Sequence, residues 1–191
     1  MDEQRCPWCG DEALYVAYHD TEWGVPEVDS RALFEKLILE GFQAGLAWIT
    51  ILRKRDGFRA AFDGFDPAAI ARYGKTDIDR LVGDAAIVRH RGKIEATIGN
   101  AKAFLAIEER GGFSDYLWRY VEGVPIRNRF AAMADVPAQT ALSQRLSKDL
   151  KKDGFTFCGP TTVYAFMQAA GLVNDHLTGC FREPEVAALA P

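Results

Sequence analysis

No stretch of this 191-residue sequence stays apolar for the roughly 20 residues a helix needs to cross a bilayer, which argues against a membrane protein. The opening residues, MDEQRCPWCG, have none of the build of a signal peptide, so the expected location is the cytoplasm. No alternating run bounded by turn residues reads as a strand. Internal repeats and low-complexity segments are absent. Basic charge is not in excess, and a net charge of −4 argues weakly against nucleic acid as a partner. Cysteine is sparse. Four thiols in a leaderless chain of this size point to metal or free cysteines before disulfides.

What is present is an ordinary globular composition, 48% hydrophobic and 26% charged, at a length that fits one domain or two small lobes. The most apolar segment is Leu33 to Leu52, LFEKLILEGFQAGLAWITIL. Read as a helix, it places Leu33, Leu37, Glu40, Ala44, Trp48 and Ile51 on one core-facing stripe. Glu40 interrupts that stripe, and a carboxylate taken out of water needs a partner or a task. One reading is that it caps a backbone group or pairs with an arginine. The other is that Glu40, with Trp48 near it, Gln43 one turn on and Gly41 and Gly45 leaving room, holds a flat polar ligand.

The remaining punctuation is helical, and the expected fold class is all-α. Asp29 or Ser30 offers an N-cap for the apolar helix, which either glycine can break. Asp66-Pro67 opens another helix, and Thr76 with Asp79 resembles a short capping box. A basic turn at 88–92 leads into a helix over about 93–109, closed by Gly111-Gly112. Ser114 is the expected cap of DYLWRYVE, which Gly123 ends. Residues 124–139 read as a loop. Helices follow over Thr140 to Lys152, ended by Gly154, and over Thr161 to about Ala170, with Gly171 just beyond.

Two constellations carry possible chemistry. Cys6, Cys9 and His19 near one end, and His176 and Cys180 near the other, are metal-ligand types. His176 and Cys180 are four apart and face the same way on a helix or tight turn. Cys6, His19, His176 and Cys180 would make a closed tetrahedral zinc shell. Cys6-Pro7-Trp8-Cys9 could instead be half a zinc site or a redox dithiol, although the β-α-β context of a thioredoxin-like motif is missing. Unliganded thiols are the plain alternative. The second constellation is the helix-turn-helix over 140–175, whose turn DGFTFCGP could offer backbone N–H groups to a phosphate or could simply be a packed αα-hairpin. Residues 1–50 carry three basic and ten acidic side chains, and residues 51–110 carry twelve and nine. Basic clusters at 53–59, 89–93 and 145–152 could form a phosphate-facing stripe or be solvated faces.

Five strings carry a resemblance across most of residues 6–181: LYVAYHDTEWGVP (14–26), LEGFQAGLAWIT (39–50), IVRHRGKIEATIGN (87–100), FTFCGPTT (155–162) and FMQAAGLVNDH (166–176). On them the chain resembles the 3-methyladenine DNA glycosylase I family of the helix-hairpin-helix DNA glycosylase superfamily. The resemblance implies a monofunctional hydrolase that excises 3-methyladenine from alkylated double-stranded DNA after base flipping. It implies one structural Zn2+ per chain on Cys6, His19, His176 and Cys180, with Cys9 outside the shell. It places Glu40 as the catalytic, base-reading carboxylate, and Trp48, Tyr18, Trp8, Tyr15 and Trp23 around the base. Gly159, Thr161, Lys151 and Lys152 are expected to face DNA. Asp175 takes a supporting role, and no lysine is placed for Schiff-base chemistry. The implied organisation is one unit over 1–191, acting as a monomer, with the terminal segments 1–30 and 172–191 stapled to each other by zinc beside a helical body over 31–171.

Overall fold

Ten helices and one short pair of strands carry residues 4–189, the residues described by this computed structural model. The first helix, α1, spans Ala13–Thr21 and follows a 3-10 turn at Pro7–Cys9. In α2 (Ser30–Gln43) the Asp29 carboxylate accepts the Ala32 N–H at 2.8 Å, as expected of an N-cap. The apolar stretch then breaks. Gly45 adopts φ +86°, a conformation that cannot continue a right-handed helix, and α3 (Trp48–Ala61) starts afresh. Glu40 and Trp48 therefore sit on two helices rather than on one stripe, and Ala44 is exposed in the connecting turn. Gly41 stays inside α2, where a Cβ would lie 3.3 Å from the Phe157 carbonyl oxygen.

Asp66 accepts the N–H groups of Ala68 and Ala69 and starts α4 (Pro67–Ile70) with proline at its first position. The next helix, α5 (Lys75–Gly83), begins earlier than Thr76 suggests. Asp77 accepts the Gly74 N–H at 3.0 Å, and Asp79 pairs instead with Arg91 at 2.9 Å. His90 caps α6 (Arg91–Glu108) through its ring nitrogen. Gly112, with φ +101°, makes the turn into α7 (Phe113–Trp118). The Ser114 N–H goes to Ser30 Oγ, so Ser114 lies inside the helix and does not cap it.

The loop over 124–139 contains β1 (Ile126–Arg127), which pairs in parallel with β2 (Val173–Asn174). Two residues are too few to show alternation, which is why no strand is legible in the sequence. Thr140 and Ser143 exchange side-chain hydrogen bonds at the start of α8 (Ala141–Lys152). A turn leads to α9 (Pro160–Ala169), and Ser147 Oγ donates to the Cys158 carbonyl at 2.6 Å to hold the pair. The last helix, α10, is Arg182–Ala187. Among the described residues no helix is long and apolar enough to cross a membrane.

The core is built around α2. Leu33, Phe34, Leu37 and Phe42 are fully buried against Phe58 and Phe62 of α3, Phe104 of α6, and Val163 and Phe166 of α9. A smaller cluster gathers Cys6, Leu177 and Cys180 with Trp8 and Phe181. Gly171 ties the two regions together. It has φ +72°, and a Cβ there would come within 2.5 Å of Val25 C and Pro26 N. With that contact open, Gly24 and Glu27 donate their N–H groups to Gln168 and Ala170 carbonyls at the end of α9.

Candidate active site and metal cluster

A cavity of about 310 Å3 lies where α1, α2, α3 and α9 converge. Its walls include Trp8, Tyr15, Tyr18, Trp23 and Trp48, with Glu40 and Gln43 from the last turns of α2. The Glu40 side chain is buried, at 4% exposure. Among the described residues no hydrogen-bond donor meets its carboxylate. Burial pushes its pKa up to about 8, and Lys36 one turn earlier pulls weakly the other way. The alternative in which Glu40 caps a backbone group or pairs with an arginine is not what the chain adopts. Tyr18 and Trp48 lie with ring centroids 5.5 Å apart and planes at 43°. Trp48 Nε1 is buried without a partner among the described residues. Trp8 packs on Tyr15 at 5.1 Å and on Trp23 at 4.9 Å, so the N-terminal rings form one continuous wall.

Behind that wall the ligand atoms of Cys6, His19, His176 and Cys180 all lie within 4.8 Å of one another, and all four residues are buried. Cys180 Sγ is 3.4 Å from His19 Nε2 and 3.6 Å from His176 Nδ1, and Cys6 Sγ is 3.7 Å from His176 Nδ1. Zinc–sulfur and zinc–nitrogen bonds of about 2.3 and 2.0 Å at the tetrahedral angle give edges of roughly 3.5 Å, so the four donors fit such an ion. Outer groups orient both rings. Asp20 meets His19 Nδ1 at 2.7 Å and is itself held by Arg5, and the Trp23 carbonyl meets His176 Nε2 at 2.9 Å. The hydrogen bond from Cys6 lowers the Cys180 thiol, which favours a thiolate. Cys9 stands apart, with its Sγ directed at the Cys6 carbonyl at 3.2 Å.

The sequence model of the methyladenine glycosylase family covers residues 8–183. The chain belongs to the methyladenine glycosylase family. The DNA-3-methyladenine glycosylase 1 of Escherichia coli (strain K12) is 53% identical over 178 residues, which are 93% of this chain and 95% of the relative. A crystal structure of 3-methyladenine DNA glycosylase I, 54% identical, superposes with a TM-score of 0.91 over 93% of this chain and 98% of its own. A variant of 3-methyladenine DNA glycosylase I solved in complex with 3-methyladenine is 42% identical, with a TM-score of 0.92 over 94% of this chain and 97% of that one.

In this methyladenine glycosylase, Thr161 lines the cavity from the first turn of α9, whereas Gly159, the N-cap of that helix, does not line it. Lys151 and Lys152 are exposed at the end of α8 and do not line the cavity. Asp175 does reach the cavity, but its carboxylate is taken up by three donors: Tyr164 OH at 2.6 Å, Gln168 Nε2 at 2.8 Å and Asn128 Nδ2 at 2.6 Å. Tyr164 and Gln168 are wall residues that the sequence reading passes over. With Thr161 they recur at steps of three and four along α9, a face that spacing could have identified. The 133–138 loop also closes one side of the cavity, and no sequence pattern marks it.

Proposed function

We propose that this chain excises 3-methyladenine from alkylated double-stranded DNA by hydrolysing the N-glycosidic bond of a base turned out of the duplex. The observation that carries this reading is Glu40, buried without a partner and facing a cavity walled by Tyr18 and Trp48. The relatives' names and the neighbour bound to 3-methyladenine support it. Alkylation at N3 makes adenine a cation, which aromatic faces attract by about 0.5–2 kcal/mol for each ring. A carboxylate at Glu40 opposes that charge and accepts hydrogen bonds from the exocyclic amine, which excludes bases lacking this donor. The electron pair of the C1′–N9 bond passes to the cationic base, which leaves neutral. A water oxygen bonds to C1′ and releases a proton. Because the leaving group is already activated, little acid catalysis is needed. Asp175, occupied by three donors, is read as a scaffold for α9.

Cys6, His19, His176 and Cys180 would hold one Zn2+ as a structural tie between the 1–30 and 172–191 segments, which flank the 31–171 body. A metal there supplies cross-linking and no chemical step. The α8–α9 pair is read as the helix-hairpin-helix that faces the DNA backbone. The N–H groups of Phe157, Gly159 and Thr161 have no partner among the described residues, as a phosphate-binding turn requires. Lys151 and Lys152 would assist, and the enzyme is read as a cytoplasmic monomer. The test is incubation with methylated duplex DNA and chromatography of the released bases. Release of 3-methyladenine is expected. Tight DNA binding with no base released would favour a non-catalytic DNA-binding protein.

A further inference from the structure

Lys93 lies 51 positions from Phe42 in sequence yet is only 7% exposed, and its ammonium is directed at the end of α2. Its Nζ donates to the Phe42 carbonyl at 2.8 Å and to the Ala44 carbonyl at 2.8 Å. Among the described residues no carboxylate meets it. These two acceptors belong to the unpaired carbonyls at a helix C-terminus, where the helix dipole also favours a cation. The same turn is pinned by a second pair of hydrogen bonds. Gln43 Nε2 donates to the Leu46 carbonyl at 2.6 Å, and the Leu46 N–H returns to the Gln43 carbonyl at 2.6 Å. Glu40 precedes this turn and Trp48 follows it, so the geometry of four exposed residues, 44–47, sets how the two face each other.

We propose that Lys93 is a positioning residue for base recognition: its ammonium fixes the α2–α3 turn and so keeps Glu40 and Trp48 at the separation a flat base requires. The proposal rests on the glycosylase reading above. It also gives α6 a task that burial alone does not explain. Lys93 sits in the first turn of α6, and the His90 ring that caps this turn packs edge-on against Phe157 at 6.1 Å. Phe157 in turn fills the space left by Gly41 of α2. The end of α2, the start of α6 and the α8–α9 turn therefore meet at one node, with Lys93 as the group that grips the α2 end.

The test compares the full-length wild-type protein with Lys93→Met, which keeps the aliphatic stem and removes the donors. Three quantities are read on folded protein at the same temperature: kcat and KM on methylated duplex DNA, and the Kd of free 3-methyladenine by tryptophan fluorescence. Losing two charge-assisted hydrogen bonds should weaken free-base binding and lower kcat about tenfold each, with KM for DNA nearly unchanged. A milder variant, Lys93→Gln, retains one donor and should fall between the two. A merely structural lysine would lower thermal stability and leave kcat and base affinity of the folded fraction at wild-type values, and that result overturns the proposal. Wild-type affinity and kcat in Lys93→Gln, or a loss confined to KM, also overturns it. A wild-type protein that neither binds nor releases 3-methyladenine is a different failure, that of the glycosylase reading itself.

Discussion

Replacing Glu40 by glutamine gives the most quantitative test, because the cost of its carboxylate can be worked out at each pH. The folded-state pKa of about 8 stands against an ordinary value of 4.5. An acid whose pKa is raised by folding contributes stability that is fully present below the unfolded pKa. That stability is lost as pH rises toward the folded pKa. The window is therefore pH 4.5 to about 8, and beyond it the loss levels off. At 1.36 kcal/mol per unit, the penalty relative to acid solution is about 3 kcal/mol at pH 7 and about 5 kcal/mol above pH 9. These are upper figures, since Glu40 borders a cavity that admits water. Glu40→Gln keeps the shape and removes the titration. The variant should melt higher than wild type at pH 8, and the difference should shrink toward pH 5. Urea unfolding at several pH values measures it. Excision of 3-methyladenine should also fall markedly, because the cationic base draws the Glu40 pKa back down and holds the bound enzyme's carboxylate ionised, whereas the amide can neither oppose the base's charge nor accept with two oxygens. Parallel stability curves for the two proteins would refute the burial argument. Full activity in the stabilised variant would refute the role in reading the base.

The other expectations are simpler. Trp48→Ala should weaken binding of free 3-methyladenine by about 1–3 kcal/mol, measured by equilibrium titration, with a smaller effect on melting temperature. Elemental analysis of purified protein should find one zinc per chain. Cys180→Ser should lose the metal and melt lower, while Cys9→Ser keeps it; retention in the first variant would count against the four-ligand shell. Replacing Lys151 and Lys152 with alanine should weaken DNA binding evenly across sequences and flatten the log–log salt dependence by about 0.9 for each phosphate no longer neutralised. An unchanged slope would move the DNA-facing surface elsewhere.

How much is legible in the sequence follows from whether each signal is local. Glu40 can be picked out because a carboxylate on an apolar stripe breaks a pattern that needs one helix turn to see. Trp48 falls on the same stripe by coincidence. Ala44 and Trp48 are four apart, so periodicity runs straight through a turn that only the backbone of Gly45 reveals. The helix caps at Asp29, Asp66 and Thr140 are readable, whereas the one at Gly74 rests on an extended backbone and a side chain three residues on. His176 and Cys180 signal themselves by spacing. Cys6 and His19, thirteen apart, give no register, and the resemblance selects them over Cys9. The Trp23 carbonyl, which meets His176, and Lys93, which meets Phe42, act across long sequence separations, and nothing local announces them.

The cluster that joins Cys6 to His176 spans 170 positions of chain. Once a metal bridges those residues, the polypeptide is a closed ring with respect to its own backbone. A single cut within the ring opens it without producing two separable pieces. All four residues of the turn at 44–47 are exposed, which makes it a natural place for such a cut. A nicked molecule would keep its two parts, the first bearing Glu40 and the second Trp48, held through the metal as well as through the core. On a denaturing gel it would run as two fragments, and in native solution as one particle. Adding a chelator would then leave the fragments joined only by packing and by polar contacts such as the Arg53–Glu12 and Arg55–Glu22 pairs.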